Sequence, residues 1–323
     1  MRLFEILLPI TLLLRLIYPK RWNIPFPTLM LILHLLVEGY RWQMIPLYLF
    51  TVGGLLFAIG ELRPTRVGSP VTRGIWRPLI GILILIVCVA PPALFPIPHI
   101  HKPTGPFAVG TTTLHLTDPA RTDPYAPDPN ALRELMVQIW YPADAPGTSH
   151  VPWMSNIEIV APAISDWIEM PSFFLDHLKY ATTDSYAEIP VSSAEAQFPV
   201  LLFSHGFGGF RAQNTYQMQE LASHGYIVVA PEHTYASVIT VFPDGRVAAH
   251  NPNTLPDGVP EAEYDLAAQR LLEQWTADLQ FVLDTLKLMD EMDPILRGKL
   301  DLDRVGVLGH STGGGATVQV CAV

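Results

Sequence analysis

Near its end, this 323-residue chain carries the run Arg304-Val305-Gly306-Val307-Leu308, then Gly309-His310-Ser311-Thr312-Gly313, then the small-residue stretch from Gly314 to Val320. The first part reads as a short buried strand and the last as a helix start. A Gly-x-Ser-x-Gly turn between a strand and a helix is the context of a nucleophile elbow, in which a serine hydroxyl projects from a strained turn above a sheet. Glycines two residues before and after Ser311 remove Cβ atoms that would clash there. In such folds the acid and histidine partners follow the serine in chain order. Only Thr312 to Val323 follow Ser311, and none of them is Asp, Glu or His. The sequence therefore supplies a nucleophile without its base, and the expectation is a hydrolase domain truncated just after its elbow. The strand 304–308 would then lack neighbours and be left as an unprotected edge.

Charge divides the chain near residue 100. Residues 1–102 hold ten Lys/Arg against three Asp/Glu, a balance of +7. The remainder holds ten against twenty-seven, a balance of −17, giving the chain its net −10. No Lys/Arg cluster marks the acidic part, which argues against a nucleic-acid partner. Two cysteines, Cys88 and Cys321, suggest neither a disulfide framework nor a metal site. His99 and His101 are too few to argue for one, and no metal or cofactor is expected.

Four apolar runs precede residue 100, at about Leu3–Tyr18, Ile24–Val37, Met44–Gly60 and Leu79–Pro98. The last two approach the roughly 20 residues a helix needs to cross a bilayer. Residues 1–100 are expected to form a multi-span helical membrane region of about four helices. A cleaved signal peptide is an alternative for residues 1–20, but no small-x-small site follows and further apolar runs do. Lys20, Arg21, Arg63, Arg66, Arg73 and Arg77 would share one side, against Arg2, Arg41 and Lys102 on the other. The richer side is expected to be cytoplasmic, which places the rest of the chain outside the cytoplasm. Trp22, Tyr40, Trp42 and Trp76 lie near run ends, where interfacial aromatics belong.

A Pro-rich linker at 101–107 leads to a second domain at 108–323, whose alternating elements predict a mostly parallel α/β sheet. Ala108–Thr117 and Glu134–Trp140 alternate as paired strands, and the segment 151–190 reads as a cover over the site. Pro199–Phe203 and Tyr226–Ala230 read as buried strands, Gln213–His224 as a short helix, and Ala262–Met289 as a long amphipathic one. The first buried strand runs into Ser204-His205-Gly206-Phe207-Gly208-Gly209-Phe210. Such a glycine-rich turn can aim a backbone amide at a developing oxyanion. The donors expected are the N–H groups of Phe207 and Thr312, with Gly206 and Gly208 shaping the loop. His233 could line the rim of the site, but the favoured reading is a hydrogen-bonded loop residue. His205 and His310 are read as braces of the two turns.

From about Gly105 onward the chain resembles the platelet-activating factor acetylhydrolase family, in its plasma and intracellular type II branch, of α/β-hydrolases. The resemblance rests on Arg133–Pro142, Phe203–Arg211, Glu232-His233 and Val307–Gly314. It implies Ser311 as nucleophile, the Phe207 and Thr312 amides as oxyanion donors, and metal-free release of short or oxidised acyl chains from phospholipid-like esters. The family's acid and histidine would fall beyond Val323. A lipid or small ester is thus the expected substrate and the bilayer the expected partner. Two readings compete with this one. One is a membrane-tethered binding or structural protein that has lost catalysis; the other is a different esterase, of dienelactone or polyester type.

The arginine distribution yields a direct test. With Cys88 and Cys321 replaced, a cysteine placed between Arg63 and Arg77 should resist an impermeant thiol reagent in intact cells. One placed in the 118–130 loop should label. The reverse pattern would overturn the orientation.

Overall fold

The computed structural model describes residues 2–62 and 76–322, in two compact units, Met1–Pro98 and His99–Val323. Arg63, Arg66 and Arg73, which enter the orientation argument, lie outside the described residues.

The first unit contains α1 (Leu3–Ile17), α2 (Pro25–Leu33), α3 (Ile45–Leu62) and α4 (Trp76–Leu94). Four membrane-crossing helices were expected. Among the described residues only two helical stretches, Trp42–Gly60 and Trp76–Leu94, are long and apolar enough to cross. The 15-residue α1 reaches only about 22 Å at 1.5 Å per residue, short of a hydrocarbon layer of about 30 Å. It stops at Tyr18, just before Pro19 and Lys20, and the wide turn His34–Glu38 that extends α2 stops at Gly39, whose φ is 79°. Pro91 and Pro92 lie inside α4. Their fixed φ is compatible with a helix, and the cost is two missing N–H donors near its end.

A polar knot ties this unit together. Buried Arg41 donates to Glu5 at 2.7 Å and to the Phe95 carbonyl at 2.6 Å. Glu38 accepts from the first-turn amides of Phe4 and Glu5, so it satisfies donors that no helical carbonyl can reach. His34 bridges Glu38 and the Tyr48 hydroxyl. Glu5, His34 and Glu38 offer ligand atoms within 4.8 Å of one another, but Arg2, Arg41, Tyr48 and the helix amides already engage those atoms. Around this knot the helices expose large apolar side chains, including Leu36, Leu49, Leu83, Ile86 and Val87.

The second unit is built on a seven-stranded sheet. Its strands are β1 (Ala108–Thr122), β2 (Leu132–Ala143), β3 (His150–Pro152), β4 (Thr182–Ala187), β5 (Phe198–Ser204) and β6 (Ile227–Glu232). A small separate hairpin, β7 (Ile239–Val241) with β8 (Val247–Ala249), precedes the last strand, β9 (Leu300–Gly309). The sheet order is β3-β4-β1-β2-β6-β5-β9. β1 and β2 pair antiparallel, as do β2 and β6, whereas β6, β5 and β9 run parallel. β4 also runs parallel to β1, so the sheet is mixed, and the site lies at its parallel β6-β5-β9 part. A short Asp/Pro-rich loop can join only antiparallel neighbours, so β1 and β2 could not have been parallel.

Helices α5 (Ile157–Trp167), α6 (Thr215–Ser223), α7 (Glu261–Met292) and α8 (Thr312–Val320) complete the unit. The segment 151–190 divides its work: β4 adds to the sheet beside β1, while α5 brings Trp167 against the glycine loop. Residues 101–107 lie along α6, with Thr104 and Gly105 donating backbone N–H groups to Glu220 and Ser223. α7 buries Leu271, Trp275, Asp278, Leu279, Val282 and Leu286, a stripe at helical spacing. Those apolar side chains join Val137, Ile139, Val200, Leu202 and Val229 in the main core, while Leu266 remains exposed.

β9 has the residue pattern of a buried strand, yet Val305 to Leu308 are half-buried, because among the described residues it pairs with β5 alone and forms the sheet edge, the position expected for it. The core opposite α7 sets the stability of the unit. Leu279→Ala should lower its unfolding free energy by about 2–5 kcal/mol, the range for a wholly buried leucine. A denaturant midpoint within error of wild type would contradict this packing.

Candidate active site

The parallel register of β5 and β9 pairs Ser204 with Gly309. The glycine loop and the elbow therefore leave the sheet side by side at its carboxyl end. The His310 N–H donates to the Ser204 carbonyl at 3.0 Å, closing the turn onto the loop. Ser311 then takes φ 52° and ψ −120°, a left-handed conformation that costs a non-glycine residue roughly 1–3 kcal/mol. Its side chain is exposed at the start of α8. The surrounding backbone is too close for any Cβ. One on Gly309 would sit 2.4 Å from the Gly313 carbonyl group, and one on Gly313 would sit 2.2 Å from the Ser204 oxygen.

Gly206 faces the elbow, its would-be Cβ 3.4 Å from the Ser311 Cβ and 2.8 Å from His310 Nδ1. Gly208 has φ +65°, and Trp167 covers it so closely that a methyl there would lie 2.4 Å from the indole. Phe207 between them is half-buried. Among the described residues neither the Phe207 nor the Thr312 amide donates to any acceptor. A hydroxyl on a strained turn with two uncommitted amides beside it suits acyl transfer. Trp167, Phe207 and His250 form an aromatic group over the loop, with ring centroids 4.6–6.1 Å apart.

The histidines occupy different places. His310 is exposed on the elbow. His205 is fully buried, donating from Nδ1 to the Gly206 carbonyl at 2.7 Å and accepting the His233 amide at Nε2. His233 does not face a rim. Its ring is inaccessible, stacked on Trp275 at 4.0 Å, with both nitrogens engaged. Nε2 meets Ser204 Oγ at 2.8 Å, and Nδ1 meets Asp278 at 2.9 Å. Arg133 closes the chain with two hydrogen bonds to Asp278, at 2.6 and 3.1 Å, and a third to Asp123.

Sequence reasoning missed Ser204 and Asp278 as functional candidates. The signal for Asp278 was there: a carboxylate inside the apolar stripe of α7 must have a buried partner. Burial alone would raise its pKa, but Arg133 and His233 outweigh that and hold the carboxyl well below the usual range.

Burial pushes His205 down to about 3, aided by its neighbour His233, and burial also lowers His233. Both are therefore neutral in the fold. Because the unfolded chain, near 6.5, takes up these protons first, their contribution is complete above about pH 6.5 and fades as pH falls towards the folded values. Each fully shifted group loses about 1.4 kcal/mol per pH unit in that window. The denaturation midpoint should thus be level above pH 7 and fall between pH 6.5 and 4.5, with a shallower slope in His205→Asn. A flat midpoint down to pH 4.5 would contradict this.

Residues 94–322 match the sequence model of platelet-activating factor acetylhydrolase, isoform II. Over 239 residues the chain is 29% identical to the platelet-activating factor acetylhydrolase of Cavia porcellus, covering 68% of this chain and 51% of that protein. It is 27% identical to the Canis lupus familiaris protein of the same name over 249 residues, with the same coverages. The chain spans about half the length of these curated relatives. Among solved structures, a ferulic acid esterase from Streptomyces cinnamoneus is similar, with a TM-score of 0.55 and 30% identity over 70% of this chain and 58% of that one. From the family match, the chain belongs to the platelet-activating factor acetylhydrolase isoform II family.

Proposed function

We propose that the protein is a membrane-anchored serine ester hydrolase that removes short acyl groups from phospholipid-like esters. The observation that carries the reading is Ser311, held at positive φ on the elbow beside the glycine loop. Ser311 Oγ attacks the ester carbonyl, and the carbonyl oxygen becomes an oxyanion held by the Phe207 and Thr312 N–H groups. The positive end of α8 adds to that field. Collapse expels the alcohol and leaves an acyl-serine, which water then hydrolyses. His205 and His233 are closed off by burial and by their own hydrogen bonds, so neither serves Ser311 as base. In this reading a triad acid and histidine follow the serine in chain order.

The two apolar helical stretches, with the apolar side chains the first unit exposes, support an integral membrane anchor. The arginine distribution supports a catalytic unit outside the cytoplasm. A second ester class has its own support. The aromatic group of Trp167, Phe207 and His250 suits a planar acyl or leaving group, and the similar solved structure is an esterase of ferulic acid.

In the full-length protein, Ser311→Ala should bring hydrolysis of a short-chain p-nitrophenyl ester down to background while the fold is kept. The loss should approach the roughly millionfold effect of removing a serine nucleophile elsewhere. Retained turnover in the folded variant would sink the assignment. A panel of acetyl, long-chain acyl and feruloyl esters separates the two substrate readings, with the acetyl ester expected to turn over fastest.

A further inference from the structure

Ser204, His233 and Asp278 reproduce the connectivity of a hydrolytic triad, serine to histidine to carboxylate, in a place where no substrate can reach. All three side chains have zero exposure, and Trp275 covers the imidazole face. The hydrogen positions follow from elementary constraints. Asp278 is ionised between Arg133 and Arg121, so it only accepts. His233 must therefore donate from Nδ1. A neutral imidazole with its proton on Nδ1 accepts at Nε2, so Ser204 donates its hydroxyl. The direction is that of an activating triad, but no substrate can reach Ser204, so its proton stays in a buried hydroxyl and the chain of bonds does no chemistry.

The neighbours show what this chain of bonds holds. Ser204 is the last residue of β5, its carbonyl accepts the His310 N–H of the elbow, and its hydroxyl is fixed by His233. The His233 N–H fixes His205, the next residue of the loop. Glu232 accepts from the Arg211 backbone and guanidinium at the loop's far end, at 3.2 and 2.5 Å. The Gly208 N–H donates to Ala236, in the turn that begins at His233. Glu232 and His233, adjacent at the end of β6, thus hold both ends of the segment that carries the Phe207 amide, and Ala236 holds its middle.

We propose that the Ser204–His233–Asp278 chain, seated on Arg133, is a non-reactive positioning device that fixes the glycine loop against the elbow and so sets the aim of the Phe207 amide. The inference rests on the reading of Ser311 as nucleophile, and its test keeps the two apart. These residues touch no substrate; they act through the loop. A displaced donor matters because a misplacement of about 1 Å can cost about a hundredfold in rate.

The test uses the full-length protein and the variants Ser204→Ala, Asp278→Asn and Ser311→Ala. Three readouts are taken: kcat and KM for a short-chain ester, the rate of fluorophosphonate capture at Ser311 located by mass spectrometry, and the ¹⁵N imidazole shifts of His233. Ser204→Ala removes a single oxygen, and should lower kcat and the capture rate about ten- to a hundredfold with KM little changed. Asp278→Asn replaces an acceptor by a donor at Nδ1, so the His233 proton should move to Nε2, with a similar fall in kcat. If Asp278→Asn fails to fold, Ser204→Ala carries the test alone. Ser311→Ala should abolish turnover and leave the His233 shifts unchanged. Wild-type kcat and capture rate in folded Ser204→Ala, or an adduct found on Ser204, would overturn the proposal. Turnover surviving in Ser311→Ala would instead overturn the assignment of the nucleophile, whatever the His233 shifts show.

Discussion

Everything at the site depends on the closeness with which the end of β5 meets the end of β9. With Ser204 opposite Gly309, the His310 amide reaches the Ser204 carbonyl, and α8 begins so near that carbonyl that Gly313 can carry no side chain. This contact turns two loops into one rigid corner. It holds Ser311, exposed at the start of α8, in a conformation the residue would not choose alone. The strain persists because the parallel register, the glycines and the buried side chains beneath all specify the same geometry.

The support beneath the corner is polar, which is unusual for a core. Arg133, Asp278, Asp123, His233 and Ser204 are all withdrawn from water. Burying such groups is costly unless each is paired, and here each has a partner of matching type. A polar cluster of this kind is directional in a way an apolar core is not. Leucines in its place would fill the space but would not dictate where the first residue of the glycine loop points. The first unit uses the same principle separately, with Arg41 and Glu5 paired among helices whose outward surface is apolar.

Much of this was legible in the residues. The elbow, the glycine loop, the long helix and the strands on either side follow from local patterns: alternation, helical spacing and glycine placement around one serine. The family resemblance rested on the same runs. What local pattern could not supply was pairing. Nothing within Phe198–Ser204 says that β5 lies between β6 and β9. The first two apolar runs were the shorter ones in the sequence, and their stops at Tyr18 and Gly39 keep them below the length of a membrane-crossing helix. His233 was singled out for its place at a strand end, but its partner Asp278 lies 45 residues away on a helix read only for its apolar face. Long-range polar contacts leave a faint mark in a single sequence, a charge where the stripe should be apolar, and Asp278 was such a mark.

The central claim is that the Phe207 and Thr312 amides converge on the oxygen that becomes negative when Ser311 reacts. The most direct measurement is an experimental structure of the full-length protein carrying a phosphonate on Ser311. The account requires one phosphonyl oxygen within about 2.7–3.1 Å of both amide nitrogens, the range of an oxyanion hole. An adduct whose oxygens face solvent, with neither amide in reach, would contradict it.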